Sequence, residues 1–360
     1  MKLQDFDYHL PPRLIAQEPV DPRDQSRLLV LDRRTRSRTH RRFCDLPEYL
    51  EPGDVLVIND TKVWAARLIG KKQSGGKVEI LLVRRKAAVN PAARVEGGAE
   101  ETAGEWECLV QGSGKVRDGM TVYLEEGLCA ELLERNSNGL WTLRLSGCGD
   151  VDGALRRIGF PPLPPYIRRN GDGAMRARDL ERYQTVYARR EGAIAAPTAG
   201  LHFTEALLEQ IKKKGVLVHR LTLDVGIGTF LPVKHEEVED HRLAPEAFEV
   251  YPETAKAVNS ARISGKRVVA VGTTVTRALE SCCDEKGFLR PESGETGLFI
   301  LPGHRFRAVD SLVTNFHLPR STLLMLVSAF AGRDPILAAY EEAIGENYRF
   351  YSYGDAMLIL

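Results

Sequence analysis

From Asp54 to about Leu145 the chain reads as short runs of alternating apolar and polar residues split by Gly-rich or polar turns: DVLVIND, ARLIGKK, KVEILLVRR, WECLV, MTVYLEE, CAELLE and LWTLRL. A period of two in runs this short predicts β-strands, and their close spacing predicts a compact β-barrel. Between Arg85 and Glu105 the pattern lapses into an Ala, Glu and Gly-rich stretch without period, which predicts a mobile loop on that barrel. From about Gly200 the pattern changes to helices alternating with apolar strands, as in an α/β layer. The helix predicted over Thr204–Lys214 has Thr204 to cap its start, Glu205 at its positive end, and Lys212, Lys213 and Lys214 at its negative end before Gly215. A strand over Val216–Val225 follows, then a helix over roughly Glu253–Arg262. The strand RVVAV leads to Gly272, Thr273 and Thr274 before a helical segment Thr276–Cys283. The PPLPP run, Pro161 to Pro165, predicts a stiff extended connector.

Composition narrows this picture. The 360 residues exceed the roughly 250–300 at which one hydrophobic core stops growing, so two domains are expected, one of them interrupted by the other. Hydrophobic residues at 43% and charged residues at 28% suit a soluble globular protein. No stretch approaches the roughly 18 uninterrupted apolar residues of a membrane span, and Met1 to Leu10 lacks the basic-then-apolar pattern of a secretion signal, so a cytoplasmic location is expected. Six cysteines without CxxC spacing argue against both a zinc site and a disulfide scaffold and predict reduced, mostly buried thiols. The HEEVEDH segment has neither HExxH spacing nor helical character, so it is not read as a metal motif. A net charge of +1 means that any nucleic-acid binding comes from local patches. The arginines Arg33, Arg34, Arg36, Arg38, Arg41 and Arg42 predict a solvated β-hairpin, with phosphate contact as the alternative.

Five segments place small or polar residues where a strand pattern stops, a common ligand position in α/β sheets. They are NDTKVWAARL (Asn59 to Leu68), YQTVYARREGAIAAPTAGLHF (Tyr183 to Phe203), TLDVGIGTFLP (Thr222 to Pro232), GTTVTRALE (Gly272 to Glu280), and DSLVTNFHLPRSTLLMLVS (Asp310 to Ser328) continuing to the YRFYSYGDAMLIL end. In order and spacing these segments, with the start FDYHLPPRLIAQEPVDPRDQSRLLVLD, resemble the S-adenosylmethionine:tRNA ribosyltransferase-isomerase family of queuosine biosynthesis. The resemblance implies a mixed α/β fold: an α/β domain built from residues 1–58 and 149–360, with a β-barrel domain, residues 59–148, inserted between them. It implies transfer and isomerisation of the ribosyl part of S-adenosylmethionine onto 7-aminomethyl-7-deazaguanine at a tRNA wobble position, giving epoxyqueuosine-tRNA, adenine and methionine. S-adenosylmethionine is then a consumed co-substrate and no cofactor or metal is implied. The partners are S-adenosylmethionine and tRNA, with no membrane and no obligate protein partner. The chain departs from the family pattern at Asp224, where His is usual, and at Ala244 and Pro245, where a second His and a Ser are usual. It departs also at Ala65, where Pro is frequent, and in GTTVTR, which keeps Arg277.

The reaction needs a base, an acid near the departing adenine, and polar groups to hold a rearranging sugar. His202, Asp224 and His317 are the candidates for proton handling. Arg67, Thr198, Gly200, Gly228, Thr229, Phe230, Thr273, Thr274, Arg277 and Asn315 are the candidates for substrate binding, through hydroxyl, amide, guanidinium and backbone donors. The GTT run before a helix offers unpaired backbone N–H groups for an anion. Two other classes compete. An S-adenosylmethionine-dependent tRNA methyltransferase needs a GxGxG-like loop after its first strand, and none occurs in the amino-terminal region. A non-catalytic tRNA-binding module predicts binding without turnover.

Overall fold

The computed structural model describes residues 1–86, 101–112, 114–137, 139–147, 150–169, 173–226, 228, 233 and 235–360. The chain divides into two compact units, Met1–Lys62 with Pro164–Asp172 and Arg182–Leu360, and Val63–Leu163 with Gly173–Glu181.

The first unit is a mixed nine-stranded sheet with helices on it. Its strands begin with β1 (Arg27–Leu31), β2 (Arg38–Arg42) and β3 (Val55–Asn59). After the short β4 (Thr61–Val63), outside this sheet, the chain passes into the second unit. There β5 (Arg67–Lys72), β6 (Lys77–Arg85), β7 (Glu101–Gly112), β8 (Met120–Tyr123), β9 (Cys129–Arg135) and β10 (Trp141–Gly147) close a barrel in the order β10-β7-β6-β5-β8-β9. Alternate residues along these strands, among them Leu68, Val78, Ile80, Leu82, Val122, Ala130, Leu132, Leu143 and Leu145, are fully buried, which is the inward half of a period of two. The helix α1 (Val151–Ile158), capped by Asp150 accepting from Gly153 N at 2.9 Å, packs with this barrel through Val151, Ala154, Leu155 and Ile158. The unit therefore runs on to Leu163 rather than ending at 148. Of the loop expected over 85–105, residues 87–100 lie outside the described residues.

The chain returns through α2 (Arg176–Arg182) and the short β11 (Arg190–Ala193) to β12 (Leu217–Leu223), β13 (Glu246–Val250), β14 (Val268–Val271), β15 (Glu292–Thr296), β16 (Ser311–Asn315) and β17 (Ala356–Ile359). The sheet order is β15-β13-β12-β3-β14-β16-β17-β1-β2. Its centre, β12-β3-β14-β16, is parallel, and the pairs at its antiparallel edges include the β1–β2 hairpin. Every residue of β3, β14 and β16 is buried, as expected of parallel strands covered on both faces. On one face lie α3 (Glu205–Lys213) and the 3-10 segment Phe43–Tyr49, through Phe43, Leu46, Leu207, Leu208 and Ile211. The helices α4 (Pro252–Ile263) and α5 (Thr273–Ser281) pack on β12, β3 and β14 with residues outside that cluster, such as Val258, Val275 and Leu279. The α6 (Thr322–Ala331) and α7 (Arg333–Gly345) pair completes the layer.

The Thr204 cap is present, its side chain accepting from Leu207 N at 3.1 Å. The arginine run forms the β1–β2 hairpin, and Arg33 within it is structural: it donates to Leu360 O at 3.0 Å and lies over the Phe330 ring. Cys108 and Cys282 are buried, whereas Cys44, Cys129 and Cys283 are only half-buried, so burial is less complete than expected; none of these five is bridged. Cys148 lies outside the described residues. Among the described residues no single helix is long and apolar enough to cross a membrane.

Candidate active site

Four parallel strands end on the same edge of the sheet, and their last residues lead directly into the segments singled out above. At the end of β3, Asn59 is fully buried and its amide stands in for backbone: Oδ1 accepts from Leu223 N at 3.0 Å and Thr61 N at 3.1 Å, while Nδ2 donates to Leu223 O at 2.9 Å and reaches Thr274 Oγ1 at 3.4 Å. It thereby closes the gap where β3 and β12 diverge and ties both to the start of α5. After β14, Gly272 turns the chain into α5 at φ +94°, a left-handed backbone suited to glycine. No side chain caps α5, so the first-turn N–H groups at Thr273 and Thr274 face outward from the strand ends without a protein cap. The positive end of the helix dipole is thus available to an anion.

These elements line a cleft of about 730 Å³, part of it open to solvent. Its walls come from Ala195–Ala199, Val225, Gly272–Thr274, Thr314–Leu318, and the tyrosines Tyr166 and Tyr351. Among the described lining residues there is no Asp, Glu, Lys or Arg. The cleft is polar through hydroxyls, amides and helix ends, not through ions. The Tyr166 ring lies 4.7 Å from that of Tyr351, tilted by 51°, its hydroxyl bonds Ser352 Oγ at 2.7 Å, and burial pushes its phenol up to about 12.

Of the proton-handling candidates, His317 is on the wall. Its ring Nε2 meets Thr314 Oγ1 at 2.8 Å, its backbone N–H donates to Tyr340 Oη at 3.0 Å, and Tyr8 Oη donates to its carbonyl, which leaves Nδ1 without a partner among the described residues. Burial lowers its pKa to about 3. His202 is 4% exposed and stands behind the wall, stacked on Phe43 at 4.9 Å. Both its nitrogens are engaged, Nδ1 with Ser26 Oγ at 2.8 Å and Nε2 with Asn315 Nδ2 at 3.1 Å. Burial first, then Arg349 and Arg23, lower its pKa to about 3. Asp224 is half-buried outside the lining; Thr61 Oγ1 donates to its Oδ1 at 2.6 Å, and its carboxylate occupies the space a side chain at Gly192 would need. Thr222, two residues before it, serves a different carboxylate, its Oγ1 donating to Asp60 Oδ1 at 2.7 Å. Asp60 is buried at the end of β3, and desolvation raises its pKa against the opposing Thr222 bond and the charges of Arg220, Arg189 and Arg190.

Of the binding candidates, Thr198, Thr273, Thr274 and Asn315 are brought together on the cleft. Gly200 lies beneath it, where an added Cβ would collide with the Tyr187 hydroxyl, so its need for glycine is one of packing. Arg277 and Gly228 line a separate small cavity with Glu246 and Ala244. The Arg277 guanidinium is 3% exposed, paired with Glu246 and donating to Leu298 O at 2.9 Å and Thr296 O at 3.3 Å. Glu246 Oε1 in turn accepts from Gly226 N at 2.8 Å. Arg67 lies on barrel strand β5, held bidentately by Glu79 at 2.6 and 2.7 Å. Thr229 and Phe230 lie outside the described residues. Asn59, Asp60, Tyr166, Glu246 and Tyr351 are not individual sequence candidates; Asn59 and Asp60 have the strand-end NDT motif as their signal, and Tyr351 lies in the YRFYSYGDAMLIL end.

Asp224→Asn keeps an acceptor for Thr61, so turnover within about fivefold of the parent is expected; a loss on the order of 100-fold, the scale of a missing general base, would show that the carboxylate reaches the reacting atoms. The two neutral histidines also set the acid limit. Their native pKa values near 3 lie below the roughly 6.5 of an unfolded His, so the unfolded chain binds the extra protons. Stability is lost as pH falls from about 6.5 toward 3, by up to about 1.4 kcal/mol per pH unit for each ring. Urea unfolding at pH 6 and pH 4.5 should differ by roughly 3–4 kcal/mol from these two rings, and His202→Phe should halve that difference. A flat profile across the window contradicts the buried neutral state.

A neutral cleft at the carboxyl ends of parallel strands, with an uncapped helix start on its wall, defines a small-molecule site in an α/β protein that carries a barrel unit. A family model described as queuosine biosynthesis protein matches residues 3–359. The chain is 49% identical over 360 residues to the S-adenosylmethionine:tRNA ribosyltransferase-isomerase of Geotalea uraniireducens, with 100% of each chain covered. It is 52% identical over 360 residues to that of an Anaeromyxobacter species, covering 100% of this chain and 99% of the relative. The crystal structure of S-adenosylmethionine tRNA ribosyltransferase from Thermotoga maritima is 40% identical, with a TM-score of 0.52 over 99% of this chain and 100% of that one. The chain belongs to the queuosine biosynthesis protein family.

Proposed function

We propose that this protein is a transferase that moves and isomerises the ribosyl moiety of S-adenosylmethionine onto 7-aminomethyl-7-deazaguanine at a tRNA wobble position, releasing adenine and methionine. The observation that carries this reading is full-length identity near one half to relatives bearing that activity in their names. The same names give no support to the methyltransferase reading. S-adenosylmethionine is consumed as a co-substrate, no further cofactor takes part, and the reaction belongs to the cytoplasm, where tRNA is modified.

The cleft supports a division of labour. The uncapped start of α5, at Thr273 and Thr274, suits the methionyl carboxylate. Thr198 and Asn315 suit the sugar's hydroxyls. Among the described lining residues no carboxylate faces the sulfonium, so no described side-chain anion there offsets the acidifying effect of the cation on the adjacent 5′ hydrogens. His317 is the proton-handling side chain on the wall, and its ring is neutral at pH 7. It takes the 5′ proton, leaving a carbanion stabilised by the sulfonium as an ylide. Its low basicity is offset by the acidity the cation confers. The carbanion expels the ring oxygen from C4′, and that oxygen becomes the C1′ aldehyde as protonated adenine leaves. The aminomethyl nitrogen then adds at C4′ of the vinyl sulfonium with loss of a proton, and the renewed ylide carbon bonds to C1′, whose oxygen displaces methionine from C5′ to close the epoxide.

The test is incubation of the purified protein with S-adenosylmethionine and tRNA bearing the aminomethyl base, followed by mass spectrometry. Free adenine, methionine and epoxyqueuosine-tRNA are expected. S-adenosylhomocysteine with a methylated tRNA would restore the methyltransferase, and binding without turnover the non-catalytic module.

A further inference from the structure

Asn315 is 2% exposed at the end of β16, on the cleft wall. One of its Nδ2 hydrogens goes to Tyr351 O at 3.1 Å and the other to His202 Nε2 at 3.1 Å. The carbonyl decides the orientation of the amide, because the flipped form would set Oδ1 against Tyr351 O, acceptor to acceptor. With Nδ2 fixed as a double donor, His202 Nε2 must accept. Its proton therefore sits on Nδ1 and is donated to Ser26 Oγ at 2.8 Å. The remaining atom of the amide, Oδ1, is buried and has no hydrogen-bond partner among the described residues. An acceptor left so in a finished fold costs stability unless a ligand completes it.

We propose that His202 is a positioning residue that holds the Asn315 amide so that Oδ1 receives an O–H or N–H donor of the bound nucleoside, making Asn315 a specificity determinant for that donor. The identity of the ligand as S-adenosylmethionine rests on the function proposed above; the orientation of the amide does not. An imidazolium at position 202 would face a double donor with a third N–H, so the device works only with the ring neutral, and the burial of His202 beneath Phe43 keeps it so. Chemically, four groups of S-adenosylmethionine could supply the donor: the 2′-hydroxyl, the 3′-hydroxyl, the 6-amino group and the α-ammonium.

Calorimetric binding of S-adenosylmethionine is compared with that of four analogues, each lacking one of these donors: 2′-deoxy, 3′-deoxy, 6-dimethylamino and deamino. In the parent protein one analogue should bind about 10-fold or more weaker, as when a buried acceptor loses its donor. In Asn315→Ala and His202→Phe that analogue and S-adenosylmethionine should bind alike, whereas His202→Gln, whose side-chain oxygen can accept from Nδ2, should restore part of the discrimination. A merely structural role for His202 would lower all affinities together and leave the ratio unchanged, which overturns the proposal. Equal binding of all four analogues to the parent overturns it also. Nitrogen-15 NMR of the His202 ring reads the same device without ligand and without any variant having to fold: the Nδ1–H tautomer, with no titration between pH 5 and 8, is expected, and the Nε2–H tautomer or a titration near pH 6.5 refutes it. Parent protein that shows the expected ring but does not bind S-adenosylmethionine refutes the assigned function and with it the nucleoside donor.

Discussion

His317→Gln is expected to lower the rate of adenine release on the order of 100-fold, with S-adenosylmethionine affinity changed by no more than about threefold. Gln fills similar space and can keep the bond to Thr314 Oγ1, but it cannot carry a proton. His317 is the one proton-handling candidate that lines the cleft, and its Nδ1 has no partner among the described residues. With its pKa near 3, the ring is in the base form throughout the neutral range, so kcat/KM of the parent enzyme should show no acid limb near pH 6.5 from this residue. Single-turnover measurements separate chemistry from release. Normal turnover in a folded His317→Gln protein would remove the residue from the reaction and leave Asp60, a buried carboxylate at the end of β3, two strands from β16, whose pKa is raised by desolvation, as the next group to replace.

The largest expected effect on stability is at Arg277. Arg277→Met should cost about 3–5 kcal/mol in urea unfolding, because it strands the Glu246 carboxylate in the interior. The double variant Arg277→Met with Glu246→Leu should recover much of that loss, since a buried ion pair replaced on both sides by apolar groups is often near neutral. It should not recover all of it. Gly226 N–H loses its bond to Glu246 Oε1 when the carboxylate goes, a contact beside Val225 on the cleft wall. A single Arg277→Met variant as stable as the parent would contradict the ion-pair account and return the arginine to the list of ligand contacts.

Features governed by neighbours in sequence were legible. Thr204 caps α3 because the hydroxyl and the N–H it serves are three residues apart, and the barrel strands showed themselves by alternation. Where long-range packing decides, the reading failed locally. The helix after GTT starts at Thr273, not Thr276: three of its first four residues are β-branched threonines and the other is Val275, which propensity disfavours, but every one is buried against the sheet. The roles of the five segments as strand-end loops were readable, whereas the partners of each side chain were not. Arg277 looked like a free donor because Glu246, 31 positions away on another strand, is invisible to any local pattern. His202 looked like a proton carrier because Ser26 and Asn315, which occupy its two nitrogens, lie 176 and 113 positions off. Asp224 follows β12, and its partner Thr61, 163 positions away after β3, comes beside it through the pairing of β12 with β3, which no local pattern shows.

The β1–β2 hairpin joins the rest of the sheet only through β17, with Leu28 opposite Ala356 and Leu31 opposite Ile359. On the ribosome this order has a temporal meaning. At bacterial elongation speeds of about 5–20 residues per second, the hairpin waits roughly tens of seconds for the strand that seats it, while the barrel strands, contiguous in the chain, have long since emerged. During that wait Leu28, Leu29, Val30 and Leu31, which are fully covered in the finished protein, have no native partner strand on one side. The newborn chain thus carries this apolar strand without one of its neighbours for most of its synthesis, and Arg38, Arg41 and Arg42 lie on the outer strand of the hairpin, where charge disfavours edge-to-edge pairing.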